Sequence, residues 1–186
     1  MKDTLYIAIT GVHGSGKSTL CRQLAHAIRR ELGLDAVVGE EVARECPYPT
    51  GLGTTREAQD WIYEAHSEME TKLREEDHGI VIFDRTLLDN VLYAMRYIGI
   101  RGGHLDLAFT DQMDEAQGCL QNLDYDLVIR THRVRLRLSD DLVFAKQIEG
   151  LLDVFMTPFV DVDVMDVRNT DVIQTTVEWV GETYEK

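Results

Sequence analysis

The sequence predicts an α/β fold in which helices cover both faces of a parallel sheet. Apolar runs of strand length recur along the 186 residues and alternate with segments of helical periodicity. One run, Ile80–Phe83, is apolar throughout, which is typical of a strand buried on both faces. A glycine-rich turn over residues 11–16 joins the first run to the first helical segment. This length suits one domain, so we predict a single domain over residues 1–186.

The order of the elements follows from the apolar patterns and from the residues that interrupt them. The predicted strands are residues 5–10, 36–39, 80–83, 125–131 and 160–167, the last of which alternates Val with Asp as an edge strand does. The predicted helices are residues 17–32, 55–77, 87–98, 105–120, 140–156 and 171–184. Gly33 is the expected end of the first helix, and Thr54 or Thr55 is the expected cap of the second. The second helix should bury one stripe, formed by Trp61, Ile62, Ala65, Met69 and Leu73.

The composition is acidic, with a formal net charge of −14. Nucleic-acid backbones bind basic surfaces, so this charge argues against extended contact with nucleic acid. The three cysteines are scattered along the chain, which favours reduced thiols over a disulfide framework. No apolar run approaches the ~20 residues that span a bilayer, and no signal peptide is recognisable. We therefore predict a cytoplasmic protein without membrane contact.

The turn after the first strand reads Gly-Val-His-Gly-Ser-Gly-Lys-Ser over residues 11–18. Its glycines allow the backbone to curl so that N–H groups point inward and form a nest for phosphate. The lysine of such a loop reaches the β and γ phosphates, the hydroxyl can bind Mg²⁺, and the next helix presents its positive end to the same anion. Lys17 is thus a predicted catalytic residue and Ser18 a predicted metal ligand. The predicted nucleotide-binding residues are Gly11, Val12, His13, Gly14, Ser15, Gly16, Lys17, Ser18 and Thr19.

The carboxyl ends of the other strands supply further candidates, because ligands of open parallel sheets bind there. Asp84 follows the all-apolar run and is predicted to hold Mg²⁺ or to accept a proton as a catalytic residue. The next residue is Arg85, where many nucleotide-driven motors have a water-polarising glutamate, and this favours transfer to an acceptor over hydrolysis. A structural Asp-Arg pair is the alternative. Glu41 and Arg44 are predicted to contact an acceptor, or else to form a surface ion pair.

Arginines are concentrated between residues 130 and 142 of this acidic chain. Guanidinium groups bind phosphate oxygens and neutralise a transferring phosphoryl group, so we predict a mobile lid over this segment. Its predicted catalytic residues are Arg133, Arg135 and Arg137. The alternation of arginine with apolar residues also fits one solvated face of a strand.

The loop 11–18, the pair Asp84-Arg85 followed by Asp89, the element Glu41-Val-Ala-Arg44 and the arginine lid occur in this chain together. With these motifs the chain resembles the P-loop nucleoside and nucleotide kinases, and most closely the small AAA-type ATPase/kinase group that looks like ribosylnicotinamide kinase. The resemblance implies the three-layer P-loop NTPase fold, with a five-stranded parallel sheet in the order 2-3-1-4-5. It also implies ATP and Mg²⁺ as cofactors, an acceptor-side region over residues 40–78, and acceptor binding by Glu41, Arg44, Arg85 and Asp89.

The predicted function is Mg²⁺-dependent transfer of the ATP γ-phosphoryl group to a small acceptor. That acceptor is expected to be a nucleoside, a nucleotide or a related metabolite. Two alternatives stay open: a nucleotide-dependent regulatory ATPase that signals to a protein partner, and a kinase of polynucleotide ends. The expected partners are ATP and the small acceptor, and assembly as a homodimer is left open.

Overall fold

The computed structural model describes residues 4–101, 110–112, 114, 125–132, 140–156, 163–166 and 171–184. Its strands are β1 (Leu5–Gly11), β2 (Ala36–Gly39), β3 (Ile80–Asp84), β4 (Leu127–Thr131) and β5 (Asp163–Asp166). The long helices within these ranges are α1 (Lys17–Leu32), α2 (Arg56–Glu75), α3 (Leu87–Arg101), α4 (Asp140–Met156) and α5 (Val172–Tyr184). None of these helices is long and apolar enough to cross a membrane.

The five strands form one parallel sheet in the order β2-β3-β1-β4-β5. The predicted fold, strand order and edge position of β5 are therefore confirmed. Because all strands run in one direction, the ends of β1, β2, β3 and β4 meet at the same edge of the sheet. In the register of β1 with β3, Ile9 lies beside Asp84, which brings the glycine-rich turn next to the end of β3.

The core occupies both faces of the sheet. Leu5, Ile7 and Ile9 of β1 pack on one face with residues of α1 and α5. Ala8 packs on the opposite face with residues of α3 and α4. Successive side chains of a strand point to opposite faces, so this alternation places a layer of helices on each side.

Two predicted helix ends are resolved by the residues that cap them. The Thr55 hydroxyl accepts a hydrogen bond from the Ala58 N–H at 3.3 Å, so the N-cap of α2 is Thr55 and not Thr54. Gly33 ends α1 with a left-handed φ of 68°, as predicted.

The buried face of α2 differs from the predicted stripe. Ile62 is buried, but the other four residues of the stripe are only half-buried: Trp61, Ala65, Met69 and Leu73. The polar residues His66 and Glu70 are buried instead, with 1% and 4% of their surface exposed. His66 is bonded to Glu70, and Glu70 accepts a hydrogen bond from Tyr125. Because these polar groups are hydrogen-bonded inside the protein, both residues can be buried although the apolar pattern of the helix predicts that they face solvent.

The lid prediction falls largely outside the described residues. Arg133, Arg135 and Arg137 lie there, as does most of the helix predicted at 105–120. The two ends of the predicted lid coincide with regular elements, since residues 130–131 belong to β4 and residues 140–142 to α4. Arg130 forms an ion pair with α4 and not with the glycine-rich turn, because its Nη2 donates to Asp153 Oδ1 at 2.5 Å.

Candidate active site

The glycine-rich turn between β1 and α1 has a backbone that requires glycine. Gly11, Gly14 and Gly16 have φ values of 143°, 72° and 92°. A Cβ at Gly11 would overlap the carbonyl and hydroxyl oxygens of Thr131, so the approach of β4 also excludes any side chain there. No side chain of the described residues caps the start of α1, so its first N–H groups are available to an anion.

The remaining loop residues serve this geometry in different ways. Val12 is 1% exposed and packs in the core, so its contribution to the turn comes from the backbone. The hydroxyl of Ser15 is hydrogen-bonded to the hydroxyl of Thr131 at 2.6 Å. The His13 N–H donates to the Tyr93 hydroxyl at 3.1 Å, and the His13 ring lies 4.7 Å from the ring of Phe144. The turn is thereby fastened to β4, α3 and α4.

Lys17 lies at the base of a cavity of about 270 Å³ that the turn encloses. Its Nζ donates to the carbonyl oxygens of Gly11 and Val12, each at 2.9 Å, and only 4% of the residue is exposed. Burial, followed by the charge of Arg85, lowers the pKa of Lys17 to about 8. The cavity is lined by His13, Gly14, Gly16, Lys17, Ser18, Thr19, Arg22, Glu41, Arg44 and Arg85.

The end of β3 presents a buried carboxylate that lacks hydrogen bonds to the residues described. Asp84 has no exposed surface, and neither of its carboxylate oxygens has a hydrogen-bond partner in the described part of the chain. Burial raises the pKa of Asp84, and the nearby Ser18 hydroxyl opposes this shift. A buried carboxylate needs a cation or donors to offset its desolvation.

These oxygens fit a magnesium ion. Mg²⁺ binds oxygen ligands, takes only one or two from the protein, and completes its shell with waters and phosphates. Ser18 and Asp84 offer a hydroxyl and an unpartnered carboxylate beside the loop. Among the residues described, no cluster of three or more His, Cys, Asp or Glu residues is suited to hold a metal ion.

Arg85 is held in an unusual conformation directly after Asp84. It has a φ of 96°, which costs a non-glycine residue about 1–3 kcal/mol. Its Nε donates to Glu41 Oε1 at 2.5 Å, and its guanidinium lies 5.1 Å from the centre of the Tyr93 ring. Burial alone would lower the pKa of Arg85, but interactions with Tyr93, Asp89 and Glu41 raise this pKa above its usual value. Its Nη1 is buried and forms an ion pair with Asp89 Oδ1 at 3.6 Å, although it makes no hydrogen bond within the described ranges.

Asp89 supports the loop from below. It has no exposed surface, and it accepts hydrogen bonds from the Thr10 hydroxyl at 2.9 Å and from the Gly11 N–H at 3.5 Å. It also accepts from the Thr86 N–H at 2.9 Å while its own N–H donates to the Thr86 hydroxyl, a capping box at the start of α3. Asp89 lines neither cavity, so its position favours bracing of the loop over the predicted contact with an acceptor.

A second cavity of about 340 Å³ adjoins the first. It shares His13, Glu41, Arg44 and Arg85 with the loop cavity. Its other walls are mainly apolar or weakly polar and are formed by Ala43, Thr50, Gly51, Leu52, Gln59, Ile62, Asn90, Tyr93 and Phe144. The structure thus brings the predicted acceptor residues Glu41, Arg44 and Arg85 together on the boundary between two cavities.

Sequence reasoning missed two polar residues of this second cavity. Asn90 is 6% exposed, and its Nδ2 is buried without a hydrogen-bond partner in the residues that are described. Gln59 is also buried, and its Nε2 donates to the Thr54 hydroxyl at 2.6 Å. No motif marks either residue, although Asn90 directly follows Asp89 on the helix that carries the loop support.

Two solved kinase structures have a fold similar to that of this chain. Thymidylate kinase from Ehrlichia chaffeensis is 18% identical, with a TM-score of 0.63, over 98% of this chain and 99% of that chain. Deoxyadenosine kinase from M. mycoides, solved with dCMP and a flexible dCDP as products, is 20% identical, with a TM-score of 0.55, over 97% and 98% of the two chains. At these identities the likeness establishes the fold, and the predicted resemblance to P-loop kinases is confirmed at that level.

The family assignment comes from the sequence itself. A model of the AAA domain family matches residues 6–164, a range that includes the glycine-rich loop, Asp84 and the predicted lid. The chain therefore belongs to the AAA domain family. No curated protein gives a significant match. The finer likeness to the ribosylnicotinamide kinase group stays a prediction.

Proposed function

We propose that this protein is a kinase that transfers the γ-phosphoryl group of ATP, with Mg²⁺, to a nucleoside, a nucleotide or a related small metabolite. The observation that carries the proposal is the junction of two cavities. One is polar and formed by the loop, the other is largely apolar, and Glu41, Arg44 and Arg85 belong to both. Adjoining donor and acceptor cavities are what direct phosphoryl transfer requires, because the reaction depends on positioning and charge stabilisation.

The donor side is assigned to the loop cavity. The open N–H groups at the start of α1 and the Lys17 ammonium would hold the triphosphate, and Thr19 lines the same wall. Ser18 and Asp84 would hold Mg²⁺, which when bound supplies positive charge to the phosphate oxygens. Asp84 is also suited to accept a proton from an acceptor hydroxyl, since its raised pKa makes it a stronger base.

The acceptor side is assigned to the second cavity. Burial alone would raise the pKa of Glu41, but Arg85, Lys17 and Arg44 hold it below its usual value, so Glu41 is ionised and available as a hydrogen-bond acceptor. Within the described residues, the buried Asn90 Nδ2 has no hydrogen-bond partner, and the Arg85 Nη1 in the same region has only a 3.6 Å ion pair with Asp89. An acceptor with an apolar ring and several hydroxyl or carbonyl oxygens would satisfy these groups.

The remaining parts of the proposal rest on sequence. Arg133, Arg135 and Arg137 would approach the γ phosphate from the lid over residues 130–142, and residues 40–78 would form the acceptor side of one domain spanning residues 1–186. A lid over the junction would exclude water and so favour transfer over hydrolysis.

The decisive experiment is a phosphoryl-transfer screen with labelled ATP and Mg²⁺. Nucleosides, nucleoside monophosphates and vitamin-like ribosides are offered singly, and a kinase yields a labelled product with one class while consuming little ATP in its absence. Lys17→Ala should lower that transfer at least about 10²-fold. Lys72→Ala, at an exposed position of α2, is the matched control and should leave it unchanged. Acceptor-independent ATP hydrolysis would refute the proposal.

A further inference from the structure

We propose that Arg44 is a latch that occupies the magnesium position on Ser18 and is released toward the acceptor cavity when a metal-bound nucleotide enters. This inference rests on the proposed function and concerns the order in which the two cavities are filled. It makes Arg44 a positioning residue that couples donor binding to acceptor binding.

The first observation is the contact between Arg44 and Ser18. Arg44 Nη2 donates a hydrogen bond to Ser18 Oγ at 2.7 Å. A lone pair of the hydroxyl oxygen is thereby directed at a guanidinium, although that oxygen is the one the loop offers to a metal. The guanidinium and Mg²⁺ both carry positive charge, and both use lone pairs of this oxygen. The two are therefore expected to exclude each other.

The second observation is the connection of Arg44 to the acceptor side. Its Nε donates to Glu41 Oε2 at 3.1 Å, while Glu41 Oε1 accepts from Arg85 Nε at 2.5 Å. Glu41 thus bridges the latch and the strained arginine at the end of β3. When Arg44 leaves Ser18, the bond to Glu41 holds its guanidinium at the boundary that both cavities share.

The third observation is that Arg44 is exposed and lies outside the core. Its side chain is 56% exposed, and its residue lies in a single 3-10 turn, Val42–Arg44, and not in a long helix or strand. Lys17 and Arg85 are buried and fixed by comparison. Among these cations, Arg44 is the one that can exchange partners without disturbing the core.

The test measures how strongly Mg²⁺ improves nucleotide binding. The dissociation constant of ADP is determined by calorimetry with EDTA and with Mg²⁺, and the ratio of the two is the metal enhancement. Arg44→Ala should raise this enhancement about fivefold or more, because the metal no longer displaces a guanidinium. A direct attraction between Arg44 and phosphate that weakens in the presence of Mg²⁺ would also raise this ratio, and the Ser18→Ala background of the double-mutant cycle separates the two effects. Arg30→Ala, an exposed arginine near the far end of α1 that pairs with Glu31, is the control for charge and should leave the ratio unchanged.

A double-mutant cycle assigns the effect to the Ser18 contact. Ser18→Ala should lower the enhancement, and Arg44→Ala should then change it no further. Hydrogen exchange measures the release: in the wild type, the segment 41–46 should exchange faster with Mg²⁺ and ADP than with ADP alone, and Arg44→Ala should abolish this difference. Equal metal enhancement in the wild type and Arg44→Ala would overturn the latch while leaving the proposed function intact. The same conclusion would follow if the exchange rate of residues 41–46 did not change when Mg²⁺ was added to the ADP complex. Failure of ADP to bind the wild type in either buffer would overturn both.

Discussion

Two clusters of buried charged residues in this molecule differ in how completely they are hydrogen-bonded. One lies at the carboxyl ends of β1 and β3 and contains Asp84, whose two carboxylate oxygens have no hydrogen-bond partner among the residues the structure describes. The other joins α2 to the segment before β4. There Glu70 Oε1 accepts from the Tyr125 hydroxyl at 2.6 Å and is bonded to His66 Nε2 at 3.0 Å, and Glu70 Oε2 accepts from Arg74 at 3.3 Å.

The difference separates a ligand site from a structural network. An unpaired buried charge costs several kcal/mol, so it persists where something outside the chain completes it. Asp84 fits this description, and the nearby Asn90 Nδ2 is a neutral buried donor without a hydrogen-bond partner among the residues described. Glu70 is the opposite case: burial alone would raise its pKa, but His66, Tyr125 and Arg74 hold the pKa below its usual value. A carboxylate completed in this way serves the fold.

The largest expected effect comes from Asp84→Asn. Phosphoryl transfer should fall about 10²–10³-fold, because the variant loses the carboxylate that would bind Mg²⁺ and accept the proton. The free energy of unfolding should stay equal or rise, because the substitution removes an unpaired buried charge. Steady-state kinetics and urea unfolding measure the two quantities. A loss of more than about 2 kcal/mol in stability would show that Asp84 belongs to a structural network.

The matched substitution in the other cluster is Glu70→Gln. It should lower the free energy of unfolding by about 1–3 kcal/mol, because an amide cannot accept from all of its present donors and one of them is left unsatisfied. Transfer by the folded enzyme should change little. Glu68→Gln, at an exposed position of the same helix, is the control and should stay within about 0.5 kcal/mol of the wild type. Impaired transfer with unchanged stability in Glu70→Gln would reverse the comparison.

A third expected effect follows from the buried ammonium of Lys17. Because its pKa is lowered to about 8, Lys17 loses its charge as the pH rises above that value. The dissociation constant of ADP should then increase by up to about tenfold per pH unit, since phosphate binds the protonated form. Calorimetry from about pH 7 to pH 9.5 tests this, and an affinity that stays constant across the range would contradict the role of Lys17 in holding phosphate.

The sequence predicted the first cluster but not the second, for a physical reason. The loop residues and Asp84 are marked by local chemistry, since glycines, lysine and a strand-ending aspartate occur at fixed spacing. The strand order was predicted from the resemblance to P-loop kinases, whereas the helix bounds of the described residues follow largely from local periodicity and caps. One partner of Glu70, Tyr125, lies 55 residues away along the chain, so a helical pattern alone does not predict that Glu70 is buried.

The same limit applies to the acceptor cavity. Glu41, Arg44 and Arg85 were predicted because each follows a strand end. Gln59 and Asn90 were missed because their burial depends on how α2 and α3 pack together. Asp89 was predicted from its motif to bind the acceptor, whereas its full burial and its bond to the Gly11 N–H could be seen only in three dimensions.

The smallest expected effect is an opposite pH dependence of stability in the two clusters. The pKa of Asp84 is raised above its ordinary value of 3.8, so the folded state binds this proton more tightly, and the resulting stability is present below pH 3.8 and lost as the pH rises through the raised pKa. The pKa of Glu70 is lowered below 4.5, so its contribution is present above pH 4.5 and lost as the pH falls through the lowered pKa. Urea unfolding from about pH 3 to pH 7 measures both effects. The wild type should lose the Asp84 contribution as the pH rises, and Asp84→Asn should not show this loss. The wild type should lose the Glu70 contribution as the pH falls, and Glu70→Gln should not show that loss. Slopes that change in the same direction in both variants would mean that the two carboxylates share one environment after all.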